Sequence, residues 1–500
     1  MSELRKKSIV SIVWTYVGFI FGAINVFLSA KYLLPEHNGL TRVLLEMGVL
    51  FSAIATFGVP TLLTKFYPYY SDRMDRKSSD LLTVALLITT IGFLLLAAGT
   101  YFLEPFISRK FSGKSALLVD YYYLVIPVTF FLTYLTVLEA QAWNLFKTVV
   151  SNFFKEVAFR VANLLLLVVY ILEWINLKTF FICFSFLYGV SFFGLLIYMI
   201  SIGELNITFK ISKLTRRLWT KMLPYVIFML AGNIVLVFKD SFDGLAISSM
   251  HGLEFAAVFS LVNYMVTSIG VPQRSVVSIA FPVIARAWKE KNMPKLADVY
   301  TKTSITLLLI STFLFGLVWI NFDDVMTFLQ LPEIYKTGKP ALLLLAFAKI
   351  VELGTGASGQ IIISSRKWKF ELYCNILLLI AAVPVSYLMI RQFDIWGAGA
   401  ANLILVVVFN GIRFAYLWYY YKLQPFNIKT LYGIALPTIL ILLTTTLINF
   451  SIPLVNIILR STLFVAGFIT ATLLLQISED ATGVFQTVKK RLGLAKPPVE

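Results

Sequence analysis

Charged residues are scarce in this 500-residue chain. Asp, Glu, Lys and Arg make up 14% of it, about half the share of an ordinary soluble domain. Acids are scarcer than bases, 26 against 43, which leaves a net charge of +17. Two cysteines and two histidines occur in the whole sequence. Cys183 and Cys374 lie far apart inside apolar runs, so they suggest neither a disulfide framework nor a Cys-x-x-Cys metal motif. His37 and His251 fall in short polar breaks and build no zinc site by themselves. There is no P-loop and no Gly-x-Gly-x-x-Gly leading into a soluble domain. ATP hydrolysis is therefore not expected, and neither is a cofactor or a bound metal.

What is present is apolar. Hydrophobic residues reach 59% and the mean hydropathy is +0.83. A soluble protein cannot hide that much apolar surface, because over half of any folded surface faces water. The composition predicts an all-α integral membrane protein. A crossing helix needs about 20 apolar residues. Fourteen such stretches read out: 9–33, 40–63, 81–103, 118–142, 152–172, 177–202, 222–248, 255–281, 303–322, 340–363, 371–391, 396–421, 431–450 and 454–477. Between the seventh and eighth, the charged break at 239–244 and the His251-Gly-Leu-Glu254 break compete as the turn. The first apolar run is too long for a cleaved signal peptide.

The basic charge reads as topology rather than as affinity for nucleic acid. With the N-terminus inside, and charges near span ends counted with the adjoining segment, the inner side carries 28 Lys/Arg and the outer side ten. That bias predicts N-in, C-in. All nine tryptophans fall close to a proposed span end, as an interfacial belt requires.

One local repeat suggests the organisation. Pro60-Thr-Leu-Leu-Thr-Lys-Phe-Tyr leads into span 3, and Pro282-Val-Ile-Ala-Arg-Ala-Trp-Lys leads into span 9. The pairing makes two six-helix lobes, 1–202 and 222–421, related by a pseudo-two-fold axis along the membrane normal. Residues 203–221 are the expected inner, amphipathic linker, with Phe209, Ile211, Leu214 and Leu218 among Lys210, Lys213, Arg216 and Arg217. Spans 13 and 14 (422–477) fall outside the repeat, and 478–500 is a basic inner tail.

Leu33-Leu-Pro-Glu-His-Asn-Gly-Leu40 followed by Phe57-Gly-Val-Pro-Thr-Leu-Leu-Thr-Lys-Phe-Tyr-Pro68 resembles the opening of polysaccharide-export and O-antigen flippases. These belong to the multidrug/oligosaccharidyl-lipid/polysaccharide (MOP) superfamily. Phe242-Asp-Gly-Leu-Ala-Ile247, Phe255-Ala-Ala-Val-Phe-Ser-Leu261 and Ala280-Phe-Pro-Val-Ile-Ala-Arg286 resemble its seventh and eighth helices. The resemblance covers the whole chain through the order and spacing of these motifs. It implies a multi-pass flippase of the bacterial cytoplasmic membrane. Its cargo would be undecaprenyl-diphosphate-linked oligosaccharide, moved by alternating access in a cleft between the lobes. It further implies membrane lipids, a coupling H+ or Na+, and a polysaccharide polymerase with its chain-length proteins as partners. Peptidoglycan-precursor flippases of this superfamily place arginines deep in their first two helices. Here span 1 has no central charge and span 2 carries Glu46, which counts against lipid II.

Charge within a span costs about 2.5–3.5 kcal/mol per residue on insertion scales, so such residues pair or line a wet cavity. Glu156 and Arg160, Lys239 and Asp243, and Lys349 and Glu352 have spacings that put partners on one helix face. Arg274 and Arg413 have no partner on their own helix and either snorkel or face the cleft. Guanidinium forks match phosphate oxygens. Arg160, Lys239, Arg274, Lys349 and Arg413 are therefore the candidate diphosphate ligands. Glu46, Asp243 and Glu352 are the candidates for ion coupling, since a buried carboxylate titrates nearer neutrality. Prolines 60, 127, 224, 272, 282, 384 and 437 mark possible kinks. A multidrug antiporter of the same superfamily would need a dominant acidic site. A membrane-embedded polymerase or glycosyltransferase would need a sizeable outer loop or an acidic cluster near the lipid head group, and Asp323-Asp324 is the one pair of adjacent acids in an outer segment. No enzymatic activity is expected.

Overall fold

A computed structural model describes residues 3–75, 78–205, 207–208 and 210–478. The expected basic tail therefore lies outside the described residues apart from Ser478, and Phe209 of the linker lies outside them too. Every regular element among the described residues is helical. Eleven helices among the described residues are long and apolar enough to cross a membrane. The eleven contain twelve of the fourteen expected spans. Lys369–Tyr421 joins spans 11 and 12 across a break, where Phe393 and Asp394 leave helical geometry and Asp394 takes φ 53°. Spans 5 and 10 are present but interrupted. Span 5 is built from Thr148–Asn152, a π-helical turn Phe153–Ala158 and Phe159–Ile171. Span 10 is built from Lys339–Gly354 and Ser358–Ile363. The chain is a multi-pass membrane protein.

Span 2 starts earlier than its hydropathy suggests. Its helix begins at Pro35, directly after an extended Leu34. Proline is pre-set for the first helical turn and pushes the residue before it out of helical geometry. The helix ends at Ala55, and Val59–Ser71 continues the span after a break. Phe57 and Gly58 both take positive φ there. Gly58 lies so close to span 7 that a Cβ would come within 3.0 Å of the Val226 carbonyl. The matching corner at Pro282 is different, because the helix Leu253–Lys289 runs through that proline unbroken.

Span 7 resolves the competition between its two possible turns. Lys213–Met250 is one helix, and the chain reverses at His251 and Gly252, with Gly252 at φ 110°. Residues 213–221 of the expected linker form the first turns of this helix. Ser212 caps it, its hydroxyl accepting from the Thr215 amide. The buried Asp80 carboxylate accepts from the Ser212 amide and the Thr215 hydroxyl, both at 2.7 Å. A carboxylate at a helix N-terminus answers both the free amides and the positive end of the dipole.

The chain packs as two compact units divided between Leu261 and Val262. In the first, span 2 is central: Leu40, Val43, Leu44, Met47 and Phe51 are buried. Its backbone approaches the turn after span 7 closely, since a Cβ on Gly39 would overlap the Leu253 carbonyl. In the second, span 9 is the hub, with span 14 docked on it through Phe464 and Phe468. Large apolar side chains such as Leu94, Phe102, Ile197, Phe228, Ile380 and Leu442 are exposed. Lipid rather than water is their natural solvent, and helices satisfy their own backbone groups there.

Candidate functional site

The first unit gathers its charge around span 2. Arg42 and Glu46 stand four residues apart on Pro35–Ala55. The Glu46 carboxylate lies against Gly244 of span 7, and a Cβ there would overlap both of its oxygens. Oε2 is buried with no hydrogen-bond partner among the described residues. Asp243 and Arg42 are the charged groups whose fields reach Glu46. Lys239 meets Asp240 at 3.7 Å, a neighbour that its spacing to Asp243 did not suggest. The Asp240 side chain is 77% exposed, so this is a loose pair.

Span 5 supplies a second, tighter pair. Arg160 donates to Glu156 Oε2 at 2.6 Å, as its spacing predicts. It also donates to the Glu156 carbonyl, a group released by the π-helical turn. The Ser191 hydroxyl donates to the Phe154 carbonyl in the same turn at 2.7 Å. A π turn widens the helix and leaves carbonyls needing donors, and these two side chains provide them. Gly18 of span 1 allows the approach, since a Cβ there would fall 2.6 Å from the Glu156 carbonyl oxygen. The guanidinium sits over the Phe19 ring at 5.7 Å.

The second unit is richer in cations. Lys349 donates to Glu352 Oε2 at 2.8 Å. Its stem crosses Gly270 of span 8, where a Cβ would lie 2.7 Å from Cε. Arg274 is one turn along from Gly270. It is exposed and meets no carboxylate among the described residues. Arg413 has a partner on another helix: Nη2 lies 2.7 Å from Glu371 Oε1, and it also donates to Asn375 at 2.9 Å. Glu371 is 8% exposed and Arg413 15%. That is a desolvated ion pair joining spans 11 and 12.

The paired acids Asp323 and Asp324 are both held in ion pairs. Asp323 is bound by Lys339. Asp324 takes Arg460 at 2.5 Å and the Asn456 amide at 2.9 Å. Arg460 also donates to the Ile448 carbonyl. The pair fastens spans 13 and 14 to span 9.

Three elements of these sites escaped the sequence. Arg42 was left at the edge of span 2, although its spacing to Glu46 is that of a helical ion pair. Glu371 and Asn375 lie 42 and 38 residues from Arg413, and no local pattern links them. Gly244 and Gly270 matter because they lack a side chain, which only the packing shows.

A family model described as "Polysaccharide biosynthesis protein" matches residues 4–288. No curated protein matches the sequence. Among solved structures, "Lipid II flippase MurJ, inward closed conformation" superposes with a TM-score of 0.70 at 15% identity. It covers 93% of this chain and 100% of its own. An inward-facing multidrug-resistance MATE family transporter of the MOP superfamily gives 0.59 at 14% identity, covering 83% and 99%. A point mutant of the Vibrio cholerae MATE transporter VcmN gives 0.51 at 13%, covering 82% and 94%. At these identities the likeness is one of fold.

Proposed function

We propose that this chain, which belongs to the polysaccharide biosynthesis protein family, is a flippase for undecaprenyl-diphosphate-linked oligosaccharide in the bacterial cytoplasmic membrane. The observation that carries the reading is the family match over residues 4–288. The transporter fold and the charges placed within apolar helices support it.

Arg274 and Lys349 are the residues proposed to hold the diphosphate. Both project from span helices of the second unit, and no carboxylate among the described residues satisfies Arg274. A guanidinium without a partner inside an apolar helix is costly, and an anionic cargo repays that cost. Lys349 holds Glu352 as well, but it packs at Gly270 on the helix that carries Arg274; for Arg160, Lys239 and Arg413, which also hold carboxylates, the proposed part is to shape the helices. Glu46, with Asp243 nearby, is the proposed seat of a coupling H+ or Na+. No chemical step is assigned to the protein: the cargo is moved by alternating access and not altered.

Deletion of the gene tests the reading. Lipid-linked oligosaccharide is expected to accumulate on the inner leaflet, with loss of surface polysaccharide. Normal surface polysaccharide together with new sensitivity to cationic drugs would overturn it in favour of an antiporter. Reporter fusions test the topology beneath it. Residues 70, 213, 290, 368 and 425 are expected inside, and 110, 253 and 452 outside. An outside signal at 213 or 290 would overturn the two-lobe arrangement.

A further inference from the structure

We propose that Glu352 is the internal occupant of the anion site, a built-in counter-ion that the cargo's diphosphate must displace from Lys349. The proposal rests on the reading of Arg274 and Lys349 as diphosphate ligands, and adds what fills that site when no cargo is bound and how loosely it holds the head group.

The geometry is specific. Lys349 and Glu352 form a 2.8 Å ion pair on one helix. Gly270 offers a bare patch of backbone over which the lysine stem lies, with Nζ 3.4 Å from where a Cβ would be. Arg274 is four residues further along the same helix, about 6 Å at the helical rise, and on the same face. The lysine head is therefore held beside the helix that carries a guanidinium without a carboxylate partner among the described residues. The Glu352 backbone is fixed as well. Its carbonyl accepts from the Thr355 hydroxyl at 2.8 Å, and that hydroxyl lies 3.2 Å from Asn410 Oδ1. Of the other carboxylates of the unit described above, Glu371 is taken by Arg413, Asp324 by Arg460 and Asp323 by Lys339.

An ammonium left alone among apolar helices would be costly, and Glu352 neutralises it in the empty state. The same bond sets a threshold for ligands. An orthophosphate is satisfied by Arg274 alone and need not disturb Glu352. A diphosphate offers two phosphate groups, one for each cation, and carries enough charge to replace a single carboxylate. Glu352 thus lowers the affinity for diphosphate and leaves that for orthophosphate unchanged, so that the cargo's head group is held loosely enough to be released. Gly270 is a positioning residue in this scheme, because a methyl group there would push the lysine away from the arginine.

The test uses the purified full chain in detergent, titrated calorimetrically with inorganic pyrophosphate and with orthophosphate. The wild type is expected to prefer pyrophosphate. Glu352→Gln is expected to bind pyrophosphate more tightly, by about three- to tenfold, to bind orthophosphate as the wild type does, and so to raise the preference. Glu352→Asp keeps the charge but shortens its reach, and is expected to fall between. Gly270→Ala is expected to weaken pyrophosphate binding and leave orthophosphate unchanged. In the Lys349→Gln background, Glu352→Gln is expected to have no further effect on the preference. Unchanged or weaker pyrophosphate binding by Glu352→Gln, with loss on Lys349→Gln, would overturn the counter-ion proposal alone. Wild-type pyrophosphate affinity in both Arg274→Gln and Lys349→Gln would overturn the diphosphate reading beneath it. Absence of pyrophosphate binding by both wild type and Glu352→Gln would overturn both.

Discussion

The two units solve the problem of charge inside apolar helices in opposite ways. On spans 2, 4, 5 and 7 the first unit gathers Glu46, Glu139, Glu156, Asp240 and Asp243 against Arg42, Lys155, Arg160 and Lys239, with Lys155 bound to Glu139 at 2.9 Å. On spans 8, 10, 11 and 12 the second gathers Arg274, Lys349 and Arg413 against Glu352 and Glu371. In the first unit the surplus is a carboxylate, and Glu46 has a buried oxygen without a hydrogen-bond partner among the described residues. In the second the surplus is Arg274, which meets no acid among the described residues. A surplus acid suits a proton or metal cation. A surplus guanidinium suits phosphate. The contrast also separates residues of one type: Arg413 is desolvated and held by Glu371, whereas Arg274 is exposed.

The largest expected effect tests that last distinction. Arg413→Ala leaves Glu371 charged and buried with only the Asn375 amide at 3.4 Å, and breaking such a pair costs about 3–5 kcal/mol. A strongly lowered unfolding temperature is expected. Replacing both partners with methionine is expected to restore most of it. A stable Arg413→Ala protein would place Arg413 with Arg274 and weaken the comparison.

Arg274→Ala is expected to do the reverse. Stability should not fall, because the side chain is exposed and has no carboxylate partner among the described residues to lose. Cargo binding should fall about tenfold to hundredfold, the loss of one charge-assisted contact of about 1.5–3 kcal/mol. Lysine should rescue it in part, because a point charge cannot form the forked contact. Complementation of surface polysaccharide at matched protein level reads this out. Full activity of the alanine variant would remove Arg274 from the site.

Gly244→Ala tests the first unit. The new methyl group would occupy the space of the Glu46 carboxylate, and overpacking of this kind costs about 1–3 kcal/mol. Transport should be lost beyond what the lowered stability explains, because the carboxylate is displaced. Glu46→Ala in the same background should recover stability, since the clash is gone, but not transport. Recovery of both would remove Glu46 from coupling.

The smallest effect is expected at Lys239. Its partner Asp240 is mostly exposed and 3.7 Å away, so Lys239→Ala should change stability by about 1 kcal/mol or less. Its transport should stay at the wild-type level. A severe loss would mean that the first unit also presents a working cation.

Much of the fold was legible because a membrane solvent imposes a simple rule, about 20 apolar residues per crossing. All fourteen apolar stretches correspond to helical segments of the structure. What failed were the ends and the breaks. Hydropathy began span 2 at residue 40, but Pro35 starts the helix, and this moved Arg42 from the edge to the interior. Nothing local distinguished Pro60, which follows a break, from Pro282, which does not. The difference lies before the prolines, at Gly58 packed on span 7 and at Ala280 buried within an unbroken helix. For the candidate site, the short-range pairs Glu156–Arg160 and Lys349–Glu352 were readable because they share a helix face. Lys239 was read with Asp243 alone, whereas Asp240 also lies within its reach, since one flexible lysine can turn to either neighbour.

By itself the sequence determined the class of solvent, the number of crossings and the types of charge that enter the membrane, because transfer of each residue into lipid is nearly independent of its neighbours. The tertiary structure alone decided which of those charges are spent. Arg413 finds Glu371 and Arg460 finds Asp324 only when helices distant in the chain pack together. Arg274 keeps its charge unmatched because no carboxylate among the described residues packs beside it. The energy of an ion depends on what lies within a few ångströms, and that is a property of packing rather than of order along the chain.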